Sequence, residues 1–300
     1  MKEKNHLIVF IVITFSLSIL LSLIIGLTGG HESRFIGLQF TSMPIPAIAV
    51  LIMTNLFKAP IKEVKWNKLP LYWLVIALLL MPLTIHIICL PLIKFLNNGA
   101  IPWQSWLTTK EKDLYISPGN FGWSTLTSNE LVFKIFMNAV TGVAIVSLLA
   151  FLEEIGWRGW MLPRLINQFN LKKGILIGSS VWALWHVPFM LSGILYLKAV
   201  PAYIIVLINP FGIFGAGLVI SWLWAKTNNI WIVSIAHGAL NNWGQYAFKY
   251  MEDSKTNLQS QQIWLFIGVN GSLLILGLLI FITMKNNYNN NKAISDKDVR

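Results

Sequence analysis

The sequence predicts an all-α, polytopic membrane protein with about eight transmembrane helices, and three observations carry that prediction. Apolar residues fill 55% of its 300 positions and charged residues only 12%. Mean hydropathy is +0.64. Several apolar stretches reach the roughly 20 residues with which a helix crosses a hydrocarbon core of about 30 Å. Together they exclude a soluble domain.

In chain order the expected spans are Leu7–Leu27, Phe40–Phe57, Leu69–Phe95, Leu131–Leu152, Ile175–Leu195, Val200–Ala225, Ile230–Phe248 and Ile263–Met284. The first follows Lys2 and Lys4 as a signal peptide would, but its apolar run exceeds the usual core of about 7 to 15 residues, so it reads as retained. The second is interrupted near its start by Pro44 and Pro46. Cys89, the single cysteine, lies inside the third, so neither a disulfide framework nor a zinc–thiolate site can form within one chain.

Lysine and arginine set the orientation. With the N-terminus inside, fifteen of the 23 fall on the inner side, Arg158 and Arg164 among them, and both termini are cytoplasmic. The net charge of +11 then reflects topology and attraction to anionic headgroups. No basic soluble domain exists to carry nucleic acid, and the expected partners are the lipid bilayer and whatever the site acts on. The connection Leu96–Glu130 is long, polar and aromatic, and reads either as a structured outer lid or as a loop anchored at headgroup level. The Asn- and Lys-rich tail Lys285–Arg300 shows no apolar periodicity and is expected to be disordered.

Of the twelve acidic residues, only Glu153 and Glu154 abut an expected span, within the stretch Phe151–Trp160. A carboxylate at such a depth is costly unless it faces protein or a water-filled cavity, which makes it a functional-site hypothesis. On a helix Glu154 and Arg158 are four apart with the acid first, the order that lets them pair. Glu153 then points about 100° away and is available as a base. Taken alone, the trio equally describes an interfacial ion cluster.

The histidines shift that balance. His86 lies in an apolar run where one hydrogen bond accounts for it. His186 stands two residues before Pro188, which cannot donate to Leu184 and so opens the helix, while Trp182 shares its face and can wall it from lipid. His237 and Asn241 share one face of the seventh span, both able to donate to a developing oxyanion, with Gly238 and Ala239 permitting close helix approach. Asn209 and Pro210, followed by Gly212, Gly215 and Gly217, describe either a discontinuous helix or close packing, and Asn209 is kept as an accessory group. A base, its partner and oxyanion donors are thereby present.

These residues resemble the family of type II CAAX prenyl proteases and bacteriocin-processing enzymes, the Abi or CPBP intramembrane proteases. The pattern Glu-Glu-x-x-x-Arg is met by Glu153, Glu154 and Arg158. Phe-x-x-x-His is met by Trp182 and His186 with Trp in place of Phe, and His-x-x-x-Asn by His237 and Asn241. The resemblance implies eight helices enclosing an intramembrane cavity open to the cytoplasm. It divides the chain into an N-terminal membrane region (1–130), a protease-like core (131–248) and a last helix with its tail (249–300). It implies that Glu153 and His186 activate water, that His237 and Asn241 hold the oxyanion, and that Glu154 and Arg158 order the site. The expected activity is intramembrane hydrolysis of a peptide or lipidated protein at the plasma membrane. The alternative is a non-catalytic immunity or scaffold protein of the same fold. A proton-coupled transporter would show internal symmetry between halves, which the hydrophobic pattern lacks. No cofactor is favoured. Zinc on Glu153, His186 and His237 would leave a position open for water, but the His-Glu-x-x-His helix of a zinc protease is missing.

Overall fold

The computed structural model describes residues 3–61, 69–96, 114–119, 122–197, 200–252 and 259–285. The expected tail lies outside the described residues apart from Lys285, as does most of the Leu96–Glu130 connection. The helices are α1 (Glu3–Leu27), α2 (Ile45–Asn55), α3 (Leu71–Leu96), α4 (Ser128–Met137), α5 (Val143–Glu154), α6 (Leu162–Phe169), α7 (Leu171–Trp185), α8 (Val187–Leu191), α9 (Ala202–Thr227), α10 (Ile230–Glu252) and α11 (Gln259–Thr283). Short 3-10 turns over Gly30–Glu32 and Ile36–Ser42 join α1 to α2, and π-helical turns over Asn138–Gly142 and Ile155–Met161 flank α5. Among the described residues the fold is all-α apart from one antiparallel hairpin, β1 (Leu114–Gly119) with β2 (Gly122–Thr127), in register from Leu114 opposite Thr127 to Gly119 opposite Gly122.

Six helical stretches among the described residues are long and apolar enough to cross a membrane, rather than the eight expected. They are Asn5–Leu27, Leu71–Ile88, Val140–Phe169, Leu171–Leu191, Ala202–Thr227 and Ile263–Thr283. A seventh arises if Ile36–Ser42 and Ile45–Asn55 count as one span bent by 47°, at the place where Pro44 and Pro46 interrupt the run. The remaining expected span is α10, which is long enough but is made polar by His237, Asn241, Asn242 and Gln245.

The fourth span is displaced. It runs over Val140–Phe169 through the π turn rather than ending at Leu152, so Glu153 and Glu154 lie mid-span and not at its inner boundary. Arg158 and Arg164 are therefore buried side chains and not loop charges, and they carry no weight in the orientation count. Arg164 donates to the carbonyls of Trp160 (2.9 Å) and Pro60 (2.8 Å) and lies over the Trp160 ring. Glu130, expected in a loop, starts α4 as a capping box. Its carboxylate accepts from the Thr127 amide (2.8 Å) and hydroxyl (2.9 Å), which holds its carboxyl below the ordinary range. That cap is in place above the ordinary carboxylate range and is lost as pH falls through the lowered value.

Glycine contacts set the helix packing. Gly215 of α9 packs against Leu273 and Gly277 of α11 so closely that a Cβ on it would stand 2.3 Å from the Leu273 carbonyl oxygen. The glycines around Asn209 and Pro210 therefore serve close approach, and α9 is one continuous helix through Pro210 rather than a broken one. Gly238 of α10 packs on Ser147 of α5 in the same way, and a Cβ on it would stand 2.6 Å from the Ser147 Cα. Such approach suits helices in lipid, where packing and not the hydrophobic effect drives association. The buried core gathers around four tryptophans, Trp157, Trp160, Trp185 and Trp224, on the elements that surround the acidic pair.

Candidate active site

Two helix irregularities and one sharp turn position the polar side chains. The first irregularity is the π turn that begins directly after Glu154. Such turns recur at functional sites because the extra residue re-aims the side chains that follow. Here Gly156 lies against Pro46, 2.4 Å from a Cβ built on it to that of the proline, so α2 backs the turn.

Within this segment Glu154 is fully buried, and its Oε1 accepts from Arg158 Nη1 and from His237 Nδ1, both at 2.8 Å. The expected Glu154–Arg158 pair is thus present, and His237 is drawn into it. A carboxylate accepts, so Nδ1 of His237 carries a proton. Oε2 of Glu154 has no partner among the described residues. The Arg158 guanidinium lies 4.6 Å over the Trp182 ring, and its Nη2 reaches the Gly217 carbonyl at 3.5 Å.

Glu153, 3% exposed, is not free as its helical offset suggests. Its Oε2 accepts from the Trp182 indole Nε1 at 3.3 Å.

The second irregularity is the break expected at Pro188. The His186 amide turns to the Ala183 carbonyl at 3.2 Å, and the Trp182 carbonyl accepts instead from the imidazole Nδ1 at 2.8 Å. A carbonyl can only accept, so His186 holds its proton on Nδ1, and in the neutral ring Nε2 keeps a lone pair. Trp182 lies between the two histidines, edge-on to His186 and to His237 with centroids 5.2 Å apart in each case. It is inserted in the cluster rather than walling His186 from lipid. Trp185 Nε1 donates to Ser18 of α1 at 2.6 Å and so ties this break to the first helix.

His237 is delivered by a turn that sequence reading missed. Asn228 ends α9 in the left-handed region at φ 46°, and Asn229 Oδ1 caps α10 by accepting from the Trp231 amide at 2.9 Å. The Asn-Asn pair was the available signal. Asn241 lies one turn beyond His237 on the same face and is half-buried. Gly217 was also missed, because what it supplies is a backbone carbonyl that no side-chain pattern announces.

The structure thus brings Glu153, Glu154, Arg158, Trp182 and His237, all buried, and the half-buried His186 into one cluster on α5, the π turn, α7 and α10. Asn209 lies on α9 eight residues before Gly217, about 12 Å along the helix. His86, set apart as structural, bonds through Nδ1 to the Pro82 carbonyl at 2.8 Å. Among the described residues no three His, Cys, Asp or Glu side chains are grouped as a metal-binding set. Glu153, His186 and His237 as they stand do not fit a zinc site.

Comparison with known proteins bears on this same segment. Residues 132–243 match the family model described as type II CAAX prenyl endopeptidase, Rce1-like. The chain is also similar to the CAAX prenyl protease 2 of Methanococcus maripaludis, 27% identical over 125 residues, which cover 41% of this chain and 46% of that protein. The match thus spans about half the length of the curated relative. The family-model match over residues 132–243 includes Glu153, Glu154, Arg158, Trp182, His186, His237 and Asn241, with Trp182 standing where the family pattern has Phe. Residues 132–243, which hold the whole cluster, are thus the part of the chain that is similar to the type II CAAX prenyl endopeptidases.

Proposed function

We propose that the chain is an intramembrane endopeptidase of the plasma membrane, with both termini cytoplasmic, acting on a membrane-associated peptide or lipidated protein. The observation that carries the reading is the pairing of two buried carboxylates with two histidines in one cluster at mid-span, each histidine held by its Nδ1. A membrane helix keeps such groups at this depth only where they serve a site.

Glu153 and His186 Nε2 take the proton of a water as its oxygen attacks the carbonyl carbon of the scissile bond. The resulting oxyanion accepts from Asn241 and from His237 Nε2 when both ring nitrogens carry protons. Collapse of the tetrahedral intermediate breaks the C–N bond, and the proton taken from water passes to the leaving amine. Glu154 and Arg158 hold His237 in register.

The test is cleavage of a panel of lipidated and unlipidated peptides in proteoliposomes. His186→Ala and His237→Ala should each lose about a hundredfold or more in kcat, the scale of general acid–base and oxyanion contributions. Activity should survive chelation and metal removal. Loss of activity on chelation that returns with zinc would overturn the metal-independent reading. Host-protective activity retained by both histidine variants would favour an immunity or scaffold protein.

A further inference from the structure

We infer that Trp182 is a positioning residue whose indole N–H fixes the orientation of the Glu153 carboxylate, an assignment that rests on the proposed role of Glu153 as base. The 3.3 Å bond from Nε1 to Glu153 Oε2 is the one hydrogen bond that the Glu153 side chain makes among the described residues. Without it the carboxylate is free to turn about its side-chain torsions. With it, Oε2 is occupied and Oε1 is left to face a water.

The ring itself is held from several directions. Arg158 lies over its face at 4.6 Å. Its edges meet His186 and His237. Gly217 of α9 backs it so closely that a Cβ there would stand 3.1 Å from Trp182 Cε3. The Trp182 carbonyl in turn holds His186 Nδ1 at 2.8 Å. One residue therefore orients both partners of the proposed water activation, its side chain holding the glutamate and its backbone the histidine. A phenyl ring in the same place would keep the edge and face contacts and the carbonyl. It would lose the bond to Glu153 and part of the ring's bulk.

Trp182→Phe separates these contributions. In proteoliposomes, on the panel peptide that the unsubstituted chain cleaves fastest, kcat should fall roughly tenfold or more, the scale of a hydrogen bond to a charged group. KM should stay within about twofold, because the indole is not placed to bind substrate. Gly217→Ala, which presses on the back of the ring, should lower kcat in the same direction and serves if Trp182→Phe does not fold. An unchanged kcat for a folded variant, or a change confined to KM, overturns the inference. Glu153→Gln distinguishes the two layers of argument. If it is inactive while Trp182→Phe keeps full kcat, the proposed function stands and this inference fails. If it cleaves at the wild-type rate, or if the unsubstituted chain cleaves no peptide of the panel, both fail.

Discussion

At the scale of single residues, the cluster separates side chains that hold the fold from those free to do chemistry. Glu154 is the junction, since one oxygen takes both Arg158 and His237 with no solvent exposure. Arg158→Ala should therefore cost about 3–5 kcal/mol by leaving a buried carboxylate short of its countercharge, measured as the loss in thermal stability of the detergent-solubilised chain. Glu153→Gln should leave that stability within about 1 kcal/mol, because an amide still accepts from the Trp182 indole. The Glu154–Arg158 pair was legible in the sequence because helical periodicity alone dictates it. The Glu153–Trp182 and Glu154–His237 bonds join helices 29 and 83 residues apart, and no local pattern encodes which carboxylate meets which ring.

At the scale of elements, composition announced most of the helices and misplaced the end of one of them. The fourth span was drawn too early because Glu153 and Glu154 look like a boundary, whereas their pairing inside the protein lets the helix continue through the π turn to Phe169. The seventh expected span is the helix α10, but the polar groups that qualify it for the site disqualify it as an apolar stretch. The hairpin Leu114–Thr127 went unseen because two six-residue strands in a polar connection carry little periodic signal. Glycines that looked like flexibility proved to be contact points. Gly215→Ala should destabilise by about 1–3 kcal/mol, since its Cβ would meet the Leu273 backbone. Gly271→Ala, with nothing within 4 Å, should be neutral or gain up to about 1 kcal/mol from helix propensity. Equal melting shifts for the two would contradict this packing of α9 on α11.

At the scale of the whole molecule, the all-α membrane fold followed from composition, whereas the number of crossings does not follow from apolarity alone. If the bent pair and α10 both cross, with the six long apolar helices, the count is even and the two termini lie on one side. If the bent pair re-enters, the termini lie on opposite sides. Reporter fusions at each end should place both in the cytoplasm, and a split result would mean that one of the two, the bent pair or α10, does not cross. The broken α7–α8 helix, the π turn and the polar α10 meet at one cluster, so the departures from regular helix concentrate where chemistry is proposed. The most direct test of that concentration is peptide cleavage by the reconstituted chain beside its Glu153→Gln variant, with melting of both recorded. Cleavage by the first, a loss of about a hundredfold or more in the second, and matching melting curves are expected. Equal cleavage by both would contradict the role of Glu153 as base.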